Sequence, residues 1–534
     1  MTKQESKQFK LEDYLSLPNP GLRAYFSHVR NGQPDEYRTP FYKGRSLDDI
    51  VDGWTSKLLN IEDKWPSLYQ YELDQGKKVG PMSVMFPLED RIKDVDSYYD
   101  LRSPEVQAPS DEALLSAQQE WRGVYPLRMR SANNTVLNMK LNTNSGTPYF
   151  TKRKSVIDKT LPLTRIMKDG LEIVPQDSNK FKYAAILGWR GQEGGRSKHD
   201  VKQRVIWMFP FEVNIWELRV YQPLIQAFQK LNLVPAWVGQ DSVDNAITWL
   251  YRTKPEDDLV IATDFDSFDQ SINPTLQRIA FDQIESLFKY EDTDVKSWLE
   301  HIFSIKYNIP LILDESRICR GPHGMGSGSG GTNVDETLIH RTLQYEAAHD
   351  ARKKLNPFSQ CLGDDGIITY PGCTVDKVVK SYTKFGLEMN LTKQHASTDD
   401  LIYLRRWYHK FYVVNGINRG VYPTCRALGR LCEQERYYSP ETWGRDMVAL
   451  RQLSIIENCK WHPLREEFAD YCMAGDSYKL GLGIPGFFDN LGKLAKEAID
   501  DMPDFLGYVR SIEDKDPSQG INDWWIVKYL KSKA

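Results

Sequence analysis

Two runs of aspartate stand at the ends of strand-forming segments, with Asp264 and Asp364 100 residues apart. In "DDLVIATDFDSFDQSINP" the apolar stretch Leu259 to Ala262 leads straight into Asp264, Asp266 and Asp269. In "CLGDDGIITY" the adjacent Asp364 and Asp365 fall between a short apolar run and the β-formers Ile367, Ile368 and Thr369. The second segment reads as two short strands around a GDDG turn, although an ordinary solvated turn favours the same residues. The first continues into a helix. Asn273 is placed to cap it, Pro274 suits its first position, and Leu276, Ile279, Ala280, Gln283, Ile284 and Leu287 recur with a helical period. Asp264 therefore sits at a strand end that the tip of the hairpin can approach.

With 534 residues the chain exceeds one ordinary core, and roughly three or four domain-sized units are expected. Hydrophobic residues make up 40%, charged residues 27%, and the formal net charge is -4. That balance excludes a disordered or broadly basic chain, so nucleic acid must be met by local basic patches. It also weighs against a non-catalytic RNA-binding assembly protein, which has no use for separated acidic clusters. The longest unbroken apolar stretch, "VIWMFPF", is far shorter than the ~20 residues that span a bilayer, and "MTKQESKQFKLEDY" lacks the apolar core of a secretory signal. A cytosolic protein with no membrane partner is expected. Seven cysteines without a C-x-x-C pair signal neither a disulfide framework nor a zinc site, and are expected to be free and buried. The absence of G-x-x-x-x-G-K-[ST] argues against a P-loop helicase.

Hard divalent cations take oxygen ligands, and Mg²⁺ at phosphoryl-transfer sites is usually held by one or two carboxylates plus substrate phosphates. Asp264 and Asp364 have that chemistry, and ions would be the missing partners of the paired like charges. A third segment, "GPHGMGSGSGGTNVDETLIHRTLQYEAA", is a glycine-dense loop running into a helix that carries Val334, Leu338, Ile339 and Leu343. Glycines let backbone approach a ligand without Cβ clashes, as suits a loop handling a nucleotide or template. A flexible linker seldom runs directly into an amphipathic helix. Basic residues gather in "GWRGQEGGRSKHDVKQRV" and "YFTKRKS", which serve equally as solvated faces or phosphate contacts.

In this order the three segments resemble the palm of viral RNA-dependent RNA polymerases: motif A "DFDSFD", motif B "SGSGGT" and motif C "GDD". Thr143 to Phe150, "TNSGTPYF", resembles motif G, and "KQRVIWMFP" the K-x-R core of motif F. "FGLEMNLTKQ" is similar to motif D, and "LIYLRRWY" to the primer grip of motif E. The wording of motif F and the chain length resemble the small polymerases of double-stranded RNA viruses of the partitivirus and picobirnavirus kind, the latter above all.

The resemblance implies roles. Asp264 and Asp364 would hold two Mg²⁺ ions, replaceable by Mn²⁺, with Asp365 in support. Asp269 would recognise ribose, because a carboxylate accepts a hydrogen bond that only a 2′-hydroxyl donates; a reverse transcriptase, the rival among enzymes, carries a bulky aromatic there. Ser327, Gly328 and Thr332 match motif B, with Ser329 a second candidate for the loop serine because "SGSGG" repeats. Glu336 stands where many positive-strand relatives have Asn. Lys202, Arg204 and Arg190 would face the incoming triphosphate. Lys393 would protonate the leaving pyrophosphate, for which its pKa would have to fall. Ser145, Gly146, Pro148, Lys152, Arg153 and Lys154 would hold template, and Arg405 and Arg406 would grip the primer strand.

The implied fold class is α+β and multidomain, a right hand with an RRM-like antiparallel palm sheet and closed fingertips. Residues 1–70 would form an N-terminal extension packed on fingers and thumb, 71–248 fingers, 249–275 palm, 276–322 a fingers insertion, 323–408 palm again, and 409–534 a thumb with a C-terminal tail. Within the last, "SPETWGRDMVALRQLSII" reads as a helix capped by Ser439 with Glu441 in its first turn. "INDWWIVKYLKSKA" reads as a tail that either docks on the thumb or enters the RNA channel. The implied activity is template-directed transfer of ribonucleotides to an RNA 3′-hydroxyl, for replication and transcription of a viral RNA genome. Implied partners are RNA template and product, ribonucleoside triphosphates and viral capsid protein, in the host cytoplasm inside the virion or core particle.

Overall fold

The computed structural model describes residues 10–101, 106–163, 183–289, 292–438, 443–501 and 520–533, together with the backbone of short strands between 166 and 181. The elements that build and support the site begin with helices α1 (Leu47–Glu62) and α2 (Pro66–Lys78) and the long hairpin of β1 (Ala185–Gln192) and β2 (Lys202–Met208). Then come α3 (Phe211–Lys230), α4 (Gln240–Thr253), β3 (Val260–Thr263), α5 (Pro274–Glu285), β4 (Leu311–Ile312), β5 (Ile318–Cys319) and α6 (Thr332–Asp350). The chain continues with β6 (Gln360–Leu362), β7 (Asp365–Ile368), β8 (His395–Ser397), β9 (Asp400–Tyr403) and β10 (Arg406–His409), and ends with α7 (Thr424–Cys432), α8 (Arg445–Glu457), α9 (Arg465–Gly475) and α10 (Trp525–Lys531).

The central sheet has strand order β6-β7-β3-β8 and is antiparallel throughout, with Leu362 opposite Asp365 and Gly366 opposite Thr263. Its residues alternate between two cores, as the two-residue period of a strand requires. Val260 and Ile367 pack with Val243, Ile247 and Leu250 of α4 on one side. Ile261 and Ile368 pack with Leu338 and Ile339 of α6 on the other. α5 forms as its sequence suggests: the Asn273 side chain accepts from the backbone N–H groups of Thr275 and Leu276, and Leu276, Ile279, Ala280, Gln283 and Ile284 are buried. The second four-stranded sheet runs β2-β1-β4-β5, parallel only between β1 and β4.

The two ends of the chain share a core. Trp54, Leu58 and Leu68 pack with Cys425, Leu428, Leu453 and Phe468, and the Trp54 indole donates to Thr424 Oγ1 at 2.8 Å. Glu72, fully buried on α2, caps α7 by accepting from the backbone of Thr424 (2.7 Å) and Cys425 (2.9 Å). Backbone bonds also tie Gln33 to Met85 and Thr39 to Cys432. The interior carboxylate of Glu72 is tolerated because His462, 3.0 Å away, and the cap both satisfy it.

α8 starts at Arg445 with Gly444 at its N-cap; Ser439 and Glu441, expected to open that helix, lie outside the described residues. Of the two readings for the C-terminal tail, the structure has the docked one. Ile526, Val527 and Leu530 of α10 are buried, Ile526 N donates to Glu457 at 3.1 Å, and the Tyr529 hydroxyl donates to Asp470 at 2.8 Å. The seven cysteines are free and buried. No helix among the described residues is long and apolar enough to cross a membrane.

Candidate active site

Pairing of β3 with β7 sets Thr263 opposite Gly366, so Asp264, the next residue along β3, lies beside Asp365, with Asp364 in the adjoining turn. Burial raises the pKa of Asp264; Lys393 pulls it down while Asp266 and Asp364 push it up. Asp365, although exposed at its surface, is pushed up to about 7, first by desolvation in the crowded site and then by Asp364, with Arg405 opposing. Among the described residues no group of three His, Cys, Asp or Glu side chains is arranged to hold a metal ion by itself. Crowded carboxylates of this kind suit an ion that takes its remaining ligands from phosphate and water.

Buried polar groups hold the carboxylates in place. His340, near the middle of α6, donates from Nδ1 to the carbonyl of Gly363 at 2.8 Å, and the Gly363 N–H donates to Thr337 Oγ1 at 3.0 Å. Burial lowers the His340 pKa to about 4, so the ring is neutral and its one N–H goes to that bond. Gly366 packs on the same ring: a Cβ there would lie 2.4 Å from His340 Cε1. Gln394 grips Asp264 by its backbone, accepting from its N–H and donating to its carbonyl, both at 2.8 Å. Neither His340 nor Gln394 carries a sequence signal of its own, although Gln394 directly follows Lys393.

Asp269 lies on the 3₁₀ turn Asp269–Ser271 and shares a side-chain hydrogen bond with Glu336. Burial raises the pKa of both, that of Glu336 far above the usual carboxylate range. The close approach of two carboxyls favours the protonated form of the pair, most strongly at the buried Glu336. Tyr98, a buried residue carrying no motif signal, shares a hydrogen bond with Ser327 and feels the charge of Asp269. Ser327 Oγ also donates to the carbonyl of Val205 at 3.2 Å, whereas Ser329 Oγ donates to Glu217 of α3 at 2.5 Å. Ser327 is thus the serine on the Asp269 side. Gly328 passes so close to β2 that a Cβ would fall 1.5 Å from the Trp207 carbonyl oxygen. Thr332 opens α6 and donates to the carbonyl of Ser329 at 3.2 Å. Below it, Asp335 accepts from the hydroxyls of Tyr221 and Tyr307 and pairs with the buried Lys306 at 3.0 Å.

The basic residues divide. Lys202 and Arg204, two apart and exposed, share one face of β2; Lys202 acts on Asp264 and Arg204 on Asp269. Arg190 faces Arg204 across the hairpin and gives its guanidinium to Glu435 through bonds of 2.7 and 3.0 Å. This ion pair engages the guanidinium expected to face the triphosphate, because a carboxylate lies within reach and a like charge stands opposite. Lys393 Nζ donates to Asp266 Oδ1 at 2.8 Å, and that bond raises its pKa, opposite to the expected fall.

In the loop 143–154, Ser145 Oγ accepts from the Thr151 N–H at 3.1 Å and the Gly146 carbonyl from the Phe150 N–H at 2.7 Å. The Pro148 carbonyl is taken by Ser16 at 2.9 Å. Lys152 and Lys154 are exposed, but Arg153 turns inward to Asn214 at 2.6 Å. At the β9–β10 turn, Leu404 and Arg405 both have positive φ, 50° and 62°, which holds Arg405 exposed beside Asp365. Arg406 instead donates to the carbonyl of Asn458 at 3.0 Å.

Against known proteins, the family described as viral RNA-dependent RNA polymerase matches residues 31–420. A human picobirnavirus protein (strain Human/Thailand/Hy005102/-), described as a potential RNA-dependent RNA polymerase, is 55% identical over 526 residues, 97% of this chain and 98% of its own. A crystal structure of the RNA-dependent RNA polymerase of a human picobirnavirus superposes with a TM-score of 0.91 at 54% identity, over 98% of this chain and 99% of the other. The insertion-loop deletion mutant of such a polymerase gives 0.90 at 53% identity, with the same coverage. With the glycine loop and both acidic clusters inside the matched span, the chain belongs to the viral RNA-dependent RNA polymerases, as an RNA-directed nucleotidyltransferase of the picobirnavirus kind.

Proposed function

We propose that this polymerase joins ribonucleotides to an RNA 3′-hydroxyl at the Asp264/Asp364 end of the central sheet, by phosphoryl transfer assisted by two metal ions. The observation that carries this proposal is the approach of Asp264, Asp364 and Asp365 where β3 ends and β7 begins, with desolvation and like charge raising Asp264 and Asp365. Asp264 and Asp364, supported by Asp365, would hold two Mg²⁺ ions, or Mn²⁺ in their place, whose chemistry when bound is to activate the attacking hydroxyl and neutralise the leaving pyrophosphate.

The chain's own groups orient the substrates. Asp269 accepts from the 2′-hydroxyl, and Glu336, as a neutral acid, donates to the same ribose, a division supported by their shared hydrogen bond. Lys202 and Arg204 neutralise the triphosphate, supported by their exposure and by their charge effects on Asp264 and Asp269. Lys393 returns a proton to the leaving pyrophosphate. Template lies along Ser145, Gly146, Pro148, Lys152 and Lys154, and Arg405 meets the primer strand.

In this proposal the central sheet is the palm, β1 and β2 are fingertips that reach the thumb through Arg190 and Glu435, and residues 409–534 are the thumb. Support comes from the antiparallel sheet order and from that ion pair. Replication and transcription of a viral genome in the host cytoplasm, inside a particle and against capsid protein, rest on kinship with picobirnavirus polymerases.

The test supplies purified protein with an RNA template, four ribonucleotides and Mg²⁺ or Mn²⁺. Wild type should make full-length RNA and Asp364→Ala none; equal synthesis by both removes the metal-site assignment. Deoxyribonucleotides in the same assay should be poor substrates, and Asp269→Ala should narrow the gap; equal use of both sugars by wild type removes the ribose role.

A further inference from the structure

Two side chains on the first turns of α3 connect two loops that the sequence motifs treat as separate. Glu217 is fully buried and accepts from Ser329 Oγ at 2.5 Å, from the Gly330 N–H at 2.8 Å and from Asn214 Nδ2 at 3.1 Å. Asn214 Nδ2 also donates to the carbonyl of Gly328 at 3.2 Å, and its Oδ1 accepts from Arg153 Nη2 at 2.6 Å. A continuous chain of hydrogen bonds thus runs from the loop 143–154, through Asn214 and Glu217, to three consecutive residues of the serine-glycine loop.

Each link has few alternatives. Lys306, the cation that acts most on Glu217, is committed to Asp335 at 3.0 Å, so the carboxylate depends on Ser329, Gly330 and Asn214. Arg153 is fixed by its backbone, which donates to the Thr143 carbonyl at 3.0 Å, while Asn144 and Lys152 form a β-bridge across the loop. Its guanidinium also lies over the Phe211 ring at 5.5 Å, and its Nε is buried without a partner. At the far end, Ser327 sits two residues from Ser329 and bonds Tyr98 beside Asp269. A shift of the glycine loop therefore moves the serine on the ribose side.

We propose that Asn214 and Glu217 are positioning residues through which the template-side loop and the nucleotide site bias each other. A template phosphate on Arg153 shifts its guanidinium and, through the Asn214 amide that it still holds, changes how firmly Gly328 and Ser329 are held. The proposal rests on the reading above that the 143–154 loop meets template and that the Asp269 side meets the nucleotide.

The test is a double-mutant cycle on KM for ribonucleotide at saturating template, with the Kd for template RNA measured alongside by fluorescence anisotropy. Arg153→Gln and Ser329→Ala should each raise KM several-fold. The double variant should fall short of the product of the two effects by about threefold or more. In an Asn214→Ala background the same two changes should simply multiply; Asn214→Leu, which keeps the volume, serves if the alanine variant does not fold. Effects that multiply with Asn214 present, or a shortfall that persists without it, overturn the proposal. A parent chain that binds template but makes no RNA would instead overturn the functional reading itself.

Discussion

His340 holds the turn that carries Asp364: its Nδ1–H reaches the Gly363 carbonyl at 2.8 Å while its ring packs against Gly366 on the returning strand. One helical side chain therefore sets both the position of the Asp364 turn and the closeness of α6 to β7.

Gly366→Ala puts a methyl group 2.4 Å from His340 Cε1 and 2.9 Å from Thr263 Oγ1. The overpacking should cost about 1–3 kcal/mol and lower kcat at least roughly tenfold, because a small displacement of reacting groups is expensive. Denaturant unfolding and steady-state synthesis measure the two effects; wild-type kcat would show that the turn tolerates the shift.

Stability should depend on pH through His340. Folded, its pKa is about 4 against an ordinary 6.5, so only the unfolded chain binds a proton between those values. The contribution is complete above pH 6.5 and is lost as pH falls toward 4, on the order of 3 kcal/mol in all. Unfolding midpoints of wild type and His340→Gln at a series of pH values should converge as pH falls across that window. Parallel curves would mean that the ring is charged when folded.

Gln394→Ala removes both clamps on the Asp264 backbone and should cost about 1–2 kcal/mol of stability. Activity should fall more steeply, through kcat with the nucleotide KM little changed, since the position of a metal-binding carboxylate is disturbed rather than the sugar contacts. A loss confined to KM would place Gln394 with the substrate instead.

Asp266 is the main reason that the Lys393 pKa lies above its ordinary value. In Asp266→Asn the lysine should lose its proton at lower pH, and the alkaline limb of the kcat profile should move down with it. An unmoved limb would assign that limb to another group and remove Lys393 as proton donor.

Local chemistry was legible in the residues. The apolar runs before Asp264 and after Asp365, the turn glycines, the Asn273–Pro274 start of α5 and its buried face all follow from periods and caps spanning a few positions, and the structure has them. Motif spacing likewise marked the aspartates and the glycine loop as one constellation. Contacts between distant segments had no such signal. Tyr98, Asn214 and Glu217 reach the glycine loop only because the fold brings their helices beside it. Ser327 and Ser329 are indistinguishable by pattern and are separated only by what stands opposite each. Arg190, Arg153 and Arg406 carry the same basic signal in the sequence wherever they point; their bonds to Glu435, Asn214 and Asn458 depend on which acceptor lies within about 3 Å after folding. A chain encodes its periods locally, but a hydrogen bond is decided by distance, and distance between remote residues exists only once the tertiary structure has formed.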